Sequence, residues 1–149
     1  MLQYGLFTLA GEYPMEDGLQ AVSLPANQSR ELAAFSADIW DRLGVSTTVA
    51  YAMLTDGRSL VARNRLILPR FVELDWVPAT VEVSRGRDSV VFSSRTFAWG
   101  VCLDLNGEAV GDNFFDVWPN TPYEVAWPAD KALPSILFVG NLPPREARV

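Results

Sequence analysis

The stretch TFAWGVCLDLNGEAV, residues 96–110, decides the fold. Phe97, Trp99, Val101, Leu103 and Leu105 alternate with Thr96, Ala98, Gly100, Cys102 and Asp104. Period two is the signature of a strand with one buried face, so the odd positions are expected to face a core. Asn106 and Gly107 then supply the two positive φ angles of a type I′ turn, which makes the segment one arm of a β-hairpin.

The same pattern extends in both directions. Toward the C-terminus, β-rich runs cover Ala109–Val117, Tyr123–Trp127 and Ser135–Gly140. Upstream they cover Val72–Trp76, Thr80–Ser84 and Ser89–Ser94. About seven short strands in this length is the count of an immunoglobulin-like sandwich. Before residue 70 the expected strands are Leu2–Leu9, Leu19–Leu24, Ser29–Phe35, Ser46–Leu54 and Ser59–Leu68. TDGR (55–58) links the last two as a hairpin, and EDG (16–18) marks another turn. SADIWDRLG (36–44) is the one helical segment, with Ser36 placed to cap it and Gly44 to end it. LPRFVELDWVP (68–78) is a junction, because Pro69 and Pro78 interrupt pairing. The reading is therefore all-β, with two consecutive β-sandwich domains. Residues 1–69 form a partial, penultimate sandwich of immunoglobulin or carbohydrate-binding-module type. Residues 70–149 form an immunoglobulin-like domain of about seven strands.

Composition excludes several chemistries. The 149 residues include no histidine and one cysteine, Cys102. That removes the Ser-His-Asp triad, the Cys-His pair, most zinc sites and any intrachain disulfide. Net charge is −6, and no basic stripe is interleaved with aromatics, so nucleic acid is not an expected partner. No apolar run reaches the ~20 residues of a membrane span, and no membrane partner is expected.

The richest segment in functional side chains is GDNFFDVWPN (111–120). Asp112 and Asp116 invite a general-acid and nucleophile reading, since glycoside hydrolysis needs two carboxylates ~5–9 Å apart. On one strand their Cα atoms would be ~13 Å apart, which is too far. Their structural reading is that Asp112 and Asn113 satisfy turn amides, Phe115 and Val117 face the core, and Asp116 faces solvent. Asp104, Asn106 and Gly107 resemble part of a calcium loop but lack the distant glutamate, and the hairpin turn accounts for them. No metal or other cofactor is expected. Aromatic faces suit the apolar faces of sugar rings. Trp118 and Phe114 are the candidate carbohydrate contacts, with Trp76 and Trp127 behind them, although Trp127 continues the Tyr123 and Val125 alternation into a core. Asn27-Gln28-Ser29 matches the N-glycosylation acceptor pattern.

With the strands placed, LPANQSREL (24–32), LTDGRSLVARNRLIL (54–68) and GDNFFDVWP (111–119) occur in order. Together they resemble the C-terminal end of β-mannosidase-type enzymes of glycoside hydrolase family 2. That family follows its catalytic (β/α)₈ barrel with β-sandwich domains. The last of these carries a D-N-x-F-D-hydrophobic-hydrophobic-P-G segment. Asp112, Asn113, Phe115, Asp116, Val117, Trp118 and Pro119 match it, with Asn120 in place of the glycine and a bulky Phe114 at the variable position. The resemblance implies a non-catalytic accessory region that braces or shapes a barrel, so no catalytic residue carries over. The alternatives are an autonomous carbohydrate-binding module and an immunoglobulin-like adhesion module. The implied partners are the catalytic barrel, carbohydrate, and a second copy of the chain. The last follows from LQYGLFTL (2–9), which is apolar on both parities and would expose an edge if strands preceding it were missing.

Overall fold

The computed structural model describes the chain apart from Pro14, Leu24, Arg58, Asn106 and residues 144–149, together with the side chains of residues 15–17. The chain is all-β, with ten strands in three antiparallel sheets and one short helix among the described residues. It divides into two compact units. The first comprises Met1–Thr8 and Glu12–Leu74, and the second comprises Leu9–Gly11 and the chain from Asp75 onward.

The first unit is a four-stranded sheet of β1 (Leu2–Thr8), β2 (Met15–Gln20), β3 (Thr48–Asp56) and β4 (Ser59–Leu66), in the order β2-β1-β3-β4. β1 is apolar on both parities because both its faces are covered. Leu6 and Phe7, on opposite faces, are each fully buried. On one face Leu6 and Ala50 pack under Trp40 of α1 (Ala37–Leu43), with Phe35, Ile39 and Leu43 around them. On the other face Phe7, Tyr13 and Tyr51 cluster, with ring centroids 5.8–6.0 Å apart. Both edges of β1 are paired, so residues 1–10 do not offer the free edge that the sequence suggested. The sheet's outer strands are β2 and β4.

Three expectations for this unit change. The strand expected at 19–24 begins earlier, at Met15, so Glu16–Gly18 lie inside β2 and not in a turn. Gly18 sits opposite Tyr4, whose ring occupies the space a Cβ would need. Residues 29–35 form no strand. Two consecutive alanines give that segment little to pack in a pleat. It instead lies over the sheet, tied by a hydrogen bond from Gln20 Nε2 to the Leu32 carbonyl (2.7 Å) and by edge-on contacts of Phe35 with Tyr4 and Trp40. The helix starts after Ser36, whose side chain makes no capping bond, and stops at Gly44 with φ +87°. The β3–β4 hairpin forms where TDGR predicted it, although Arg58 lies outside the described residues.

The second unit is a two-layer sandwich. One layer is β5 (Glu82–Arg85), β6 (Ser89–Ser93) and β9 (Tyr123–Ala126), in the order β5-β6-β9. The other is β7 (Ala98–Asp104), β8 (Phe115–Val117) and β10 (Ser135–Phe138), in the order β10-β7-β8. Val90, Phe92 and Val125 from the first layer meet Ala98, Val101, Leu103, Phe115 and Val117 from the second in a single core. Phe115 is its bridge, with its ring 4.9 Å from Phe92 and 4.6 Å from Tyr123.

Here too the strand count is lower than expected, with six strands among the described residues. The segment expected as a strand over 72–76 begins as a 3-10 turn, Phe71–Glu73, closed by hydrogen bonds between Arg70 and Glu73. That carboxylate also raises the pKa of the Arg70 guanidinium through a hydrogen bond and charge. The strand expected over 109–117 is reduced to its last three residues. The alternation of β7 is broken as well. Gly100 has φ +59°, and the pairing with β8 shifts between Ala98 and Val101. This β-bulge changes which side chains face the core. Ala98 joins Val101 and Leu103 there, while Phe97 and Trp99 lie with Trp76 in a separate aromatic group.

Candidate functional site

The segment from Asp112 to Asn120 runs beside β7, and its polar side chains do the work that a longer β8 would have done. Leu103 donates its N–H to Asn113 Oδ1 at 2.8 Å, and Asn113 Nδ2 reaches the Leu103 carbonyl at 3.4 Å. Phe114 donates its N–H to the Val101 carbonyl at 3.1 Å. Gly100 donates its N–H to Asp116 Oδ1 at 3.1 Å. A three-residue strand cannot ladder all of β7, and buried backbone groups must be paired. The amide and carboxylate supply the missing partners.

This arrangement revises the roles assigned from sequence. Asn113 serves a neighbouring strand and not its own turn. Asp116 is partly buried rather than solvent-facing, and it holds the bulge at Gly100. Asp112 accepts a hydrogen bond from the Tyr123 hydroxyl. Each carboxylate of the pair thus has a structural partner. Among the described residues no three Asp, Glu or Cys side chains gather as metal ligands would. Gly107 has φ +87°, and Glu108 donates its N–H to the Leu105 carbonyl at 2.8 Å. Asn106, the other half of the expected turn, lies outside the described residues.

The two candidate carbohydrate contacts are not brought together. Trp118 is 2% exposed and offers no face to solvent. Trp76 and Trp127 are likewise buried, and the Trp127 indole donates to the Ala132 carbonyl at 3.0 Å. Phe114 is 51% exposed. Its partners are Trp99, which parity had placed in the core, and Phe138, which the sequence reading did not single out. Trp99 packs edge-on against it at 6.1 Å, and Phe138 does so on β10 at 5.9 Å. The signal that could have found Trp99 was Gly100, since a glycine inside a strand pattern marks a bulge or a close approach.

Two shallow hollows lie among the described residues. One, of about 480 Å³, is lined by polar groups that include Glu82, Ser93, Arg95, Thr96 and Asn120 in the second unit. The other, of about 450 Å³, lies between Tyr4, Arg30, Phe35, Ala52, Asn64 and Leu66 in the first.

No protein-family model matches the sequence, and no curated protein matches it. Among solved structures, the β-D-mannosidase of Dictyoglomus thermophilum matches with a TM-score of 0.77 and 21% sequence identity. The match covers 95% of this chain and 18% of that one. The fold is that of a β-mannosidase segment. At this identity the likeness is one of fold, and it takes in both units of the chain. The β-mannosidase-like segment spans less than a fifth of its neighbour, which is itself a glycoside hydrolase.

Proposed function

We propose that the chain is a non-catalytic accessory region of a glycoside hydrolase of family 2 that acts on β-mannosides. Its second unit would be the immunoglobulin-like terminal domain, and its role would be to brace a catalytic barrel or shape the approach to it. The observation that carries this reading is the fold match, which takes in nearly all of this chain and a small part of a β-mannosidase. The engagement of Asp112 and Asp116 in structural hydrogen bonds supports a region without its own chemistry. The test is immunodepletion of an extract from the native source. An antibody to this chain should remove β-mannosidase activity along with it. Activity left wholly in the supernatant after complete removal of the chain would overturn the proposal.

A further inference from the structure

The aromatic group around Phe114 is built to stay open. Trp99 is held at both backbone groups, its N–H donated to Asn141 Oδ1 at 2.8 Å and its carbonyl accepting from Gly140 N–H at 2.7 Å. A side chain at Gly140 would collide with the Trp99 ring, and one at Gly100 would press on the Phe114 ring from 3.0 Å. Two glycines therefore make room for two rings. Phe114 itself has φ +83°, in the left-handed region that a bulky side chain rarely adopts. Such strain is kept where the surroundings over-determine it, and it concentrates at binding sites. Core packing does not explain it here, because Phe115 fills the core while Phe114 and Phe138 remain 51% and 49% exposed.

We propose that Trp99, Phe114 and Phe138 form a stacking strip for a neutral oligosaccharide. The π faces of the rings attract the polarised C–H bonds of a sugar, and their rigidity keeps the entropy cost of binding low. Successive rings lie 6.1 and 5.9 Å apart, a step on the scale of one pyranose unit. The rings are turned by 81° and 63° from one to the next, which suits a twisted chain better than a flat surface. Size argues against a protein partner. Three partly exposed rings offer on the order of 300 Å², well short of the roughly 800 Å² per side of a standard protein interface. The overall charge of −6 disfavours an anionic ligand.

The choice of a mannose probe rests on the accessory-region reading above, whereas the strip itself rests on the ring geometry. The experiment is calorimetric titration of the full chain with mannopentaose and, in parallel, cellopentaose, followed also by tryptophan emission. Four of the five tryptophans are buried and Trp99 is not, so binding should shift the emission of Trp99. Phe114→Gly and Phe138→Ala should each weaken association roughly tenfold. Glycine accepts φ +83° without strain, so Phe114→Gly removes the ring and leaves the fold intact. Leu137→Ala, an exposed apolar control, should bind as the parent does. Absence of saturable binding to either sugar would overturn the proposal, as would undiminished binding by both ring variants. An equal loss in Leu137→Ala would overturn it, and so would a dimer dissolved by Phe114→Gly, which would make the strip a contact between copies. A null titration alongside successful immunodepletion would remove the strip and leave the accessory reading standing.

Discussion

Replacing Asn113 with alanine tests whether side chains complete the ladder of β7. Asn113 accepts the N–H of Leu103 at 2.8 Å, and Leu103 is 2% exposed. Losing a good neutral hydrogen bond costs about 1 kcal/mol, and stranding a buried N–H adds about 1–3 kcal/mol. The second bond, at 3.4 Å, is long and contributes little. The expected loss is therefore about 2–4 kcal/mol, toward the lower end if water enters the gap. For a unit of this size that corresponds to a fall of roughly 10–25 °C in the melting midpoint. Asn113→Asp keeps the acceptor and should lose roughly 1 kcal/mol less. Urea unfolding followed by tryptophan emission reads the second unit directly, because Trp76, Trp99, Trp118 and Trp127 lie in it and only Trp40 lies in the first. A cost below ~0.5 kcal/mol for alanine, or equal costs for alanine and aspartate, would refute the acceptor role.

Four further outcomes are expected. Phe115→Ala, which removes a 4%-exposed ring between the two sheets, should cost ~3–5 kcal/mol in the same assay, and a loss under ~1 kcal/mol would mean the core is misassigned. The purified chain should not hydrolyse an aryl β-mannoside; turnover abolished by Asp112→Ala or Asp116→Ala would contradict this. β4 pairs only with β3 among the described residues and exposes Leu60, Val61 and Leu66 along an outer strand, so the chain should self-associate in light scattering and Val61→Lys should make it monomeric. A parent chain that stays monomeric at high concentration would count against that edge. Glu108, hydrogen-bonded to Lys131 at 2.7 Å, raises the lysine pKa. A raised folded value means the pair stabilises fully below the ordinary lysine range and ceases to do so as pH climbs through the raised value of the folded protein. The difference in urea midpoint between the parent and Glu108→Gln should therefore vanish in strong alkali, and a difference that persists there would exclude the ion pair as its source.

Most strands were legible because period two survives wherever one face is buried. β6 and β9 follow from alternation and turn residues, β3 from the TDGR turn that ends it, and β1 from a run that is apolar on both parities. What was not legible had local causes that alternation does not encode. The bulge at Gly100 turned Trp99 out of the core, and only the glycine hinted at it. Residues 29–35 look strand-like by length but pack over a sheet, a choice made by Phe35 meeting Tyr4 and Trp40. The polar residues of the 111–120 segment were visible as chemistry, yet Asn113 and Asp116 bond backbone groups of β7 and Asp112 bonds the Tyr123 hydroxyl, all ten or more positions away. No pattern within the segment names those partners. Phe114 was legible as a candidate contact, while Phe138 needed the register of β10 beside β7 to reach it.

Leu9–Gly11 belong to the second unit although they follow β1 directly. The Leu9 carbonyl accepts the N–H of Phe97 at 3.0 Å, and a side chain at Gly11 would collide with the Arg95 carbonyl. Leu9 is 2% exposed and Phe97 is fully buried. The chain is therefore not modular along its sequence. A cut between Leu74 and Asp75 would leave behind three residues of the second sandwich, and its Phe97 amide would lose its acceptor. The two units cannot be exchanged like cassettes at that joint alone. A split that keeps both units intact must keep the β1–β2 corner with the C-terminal half.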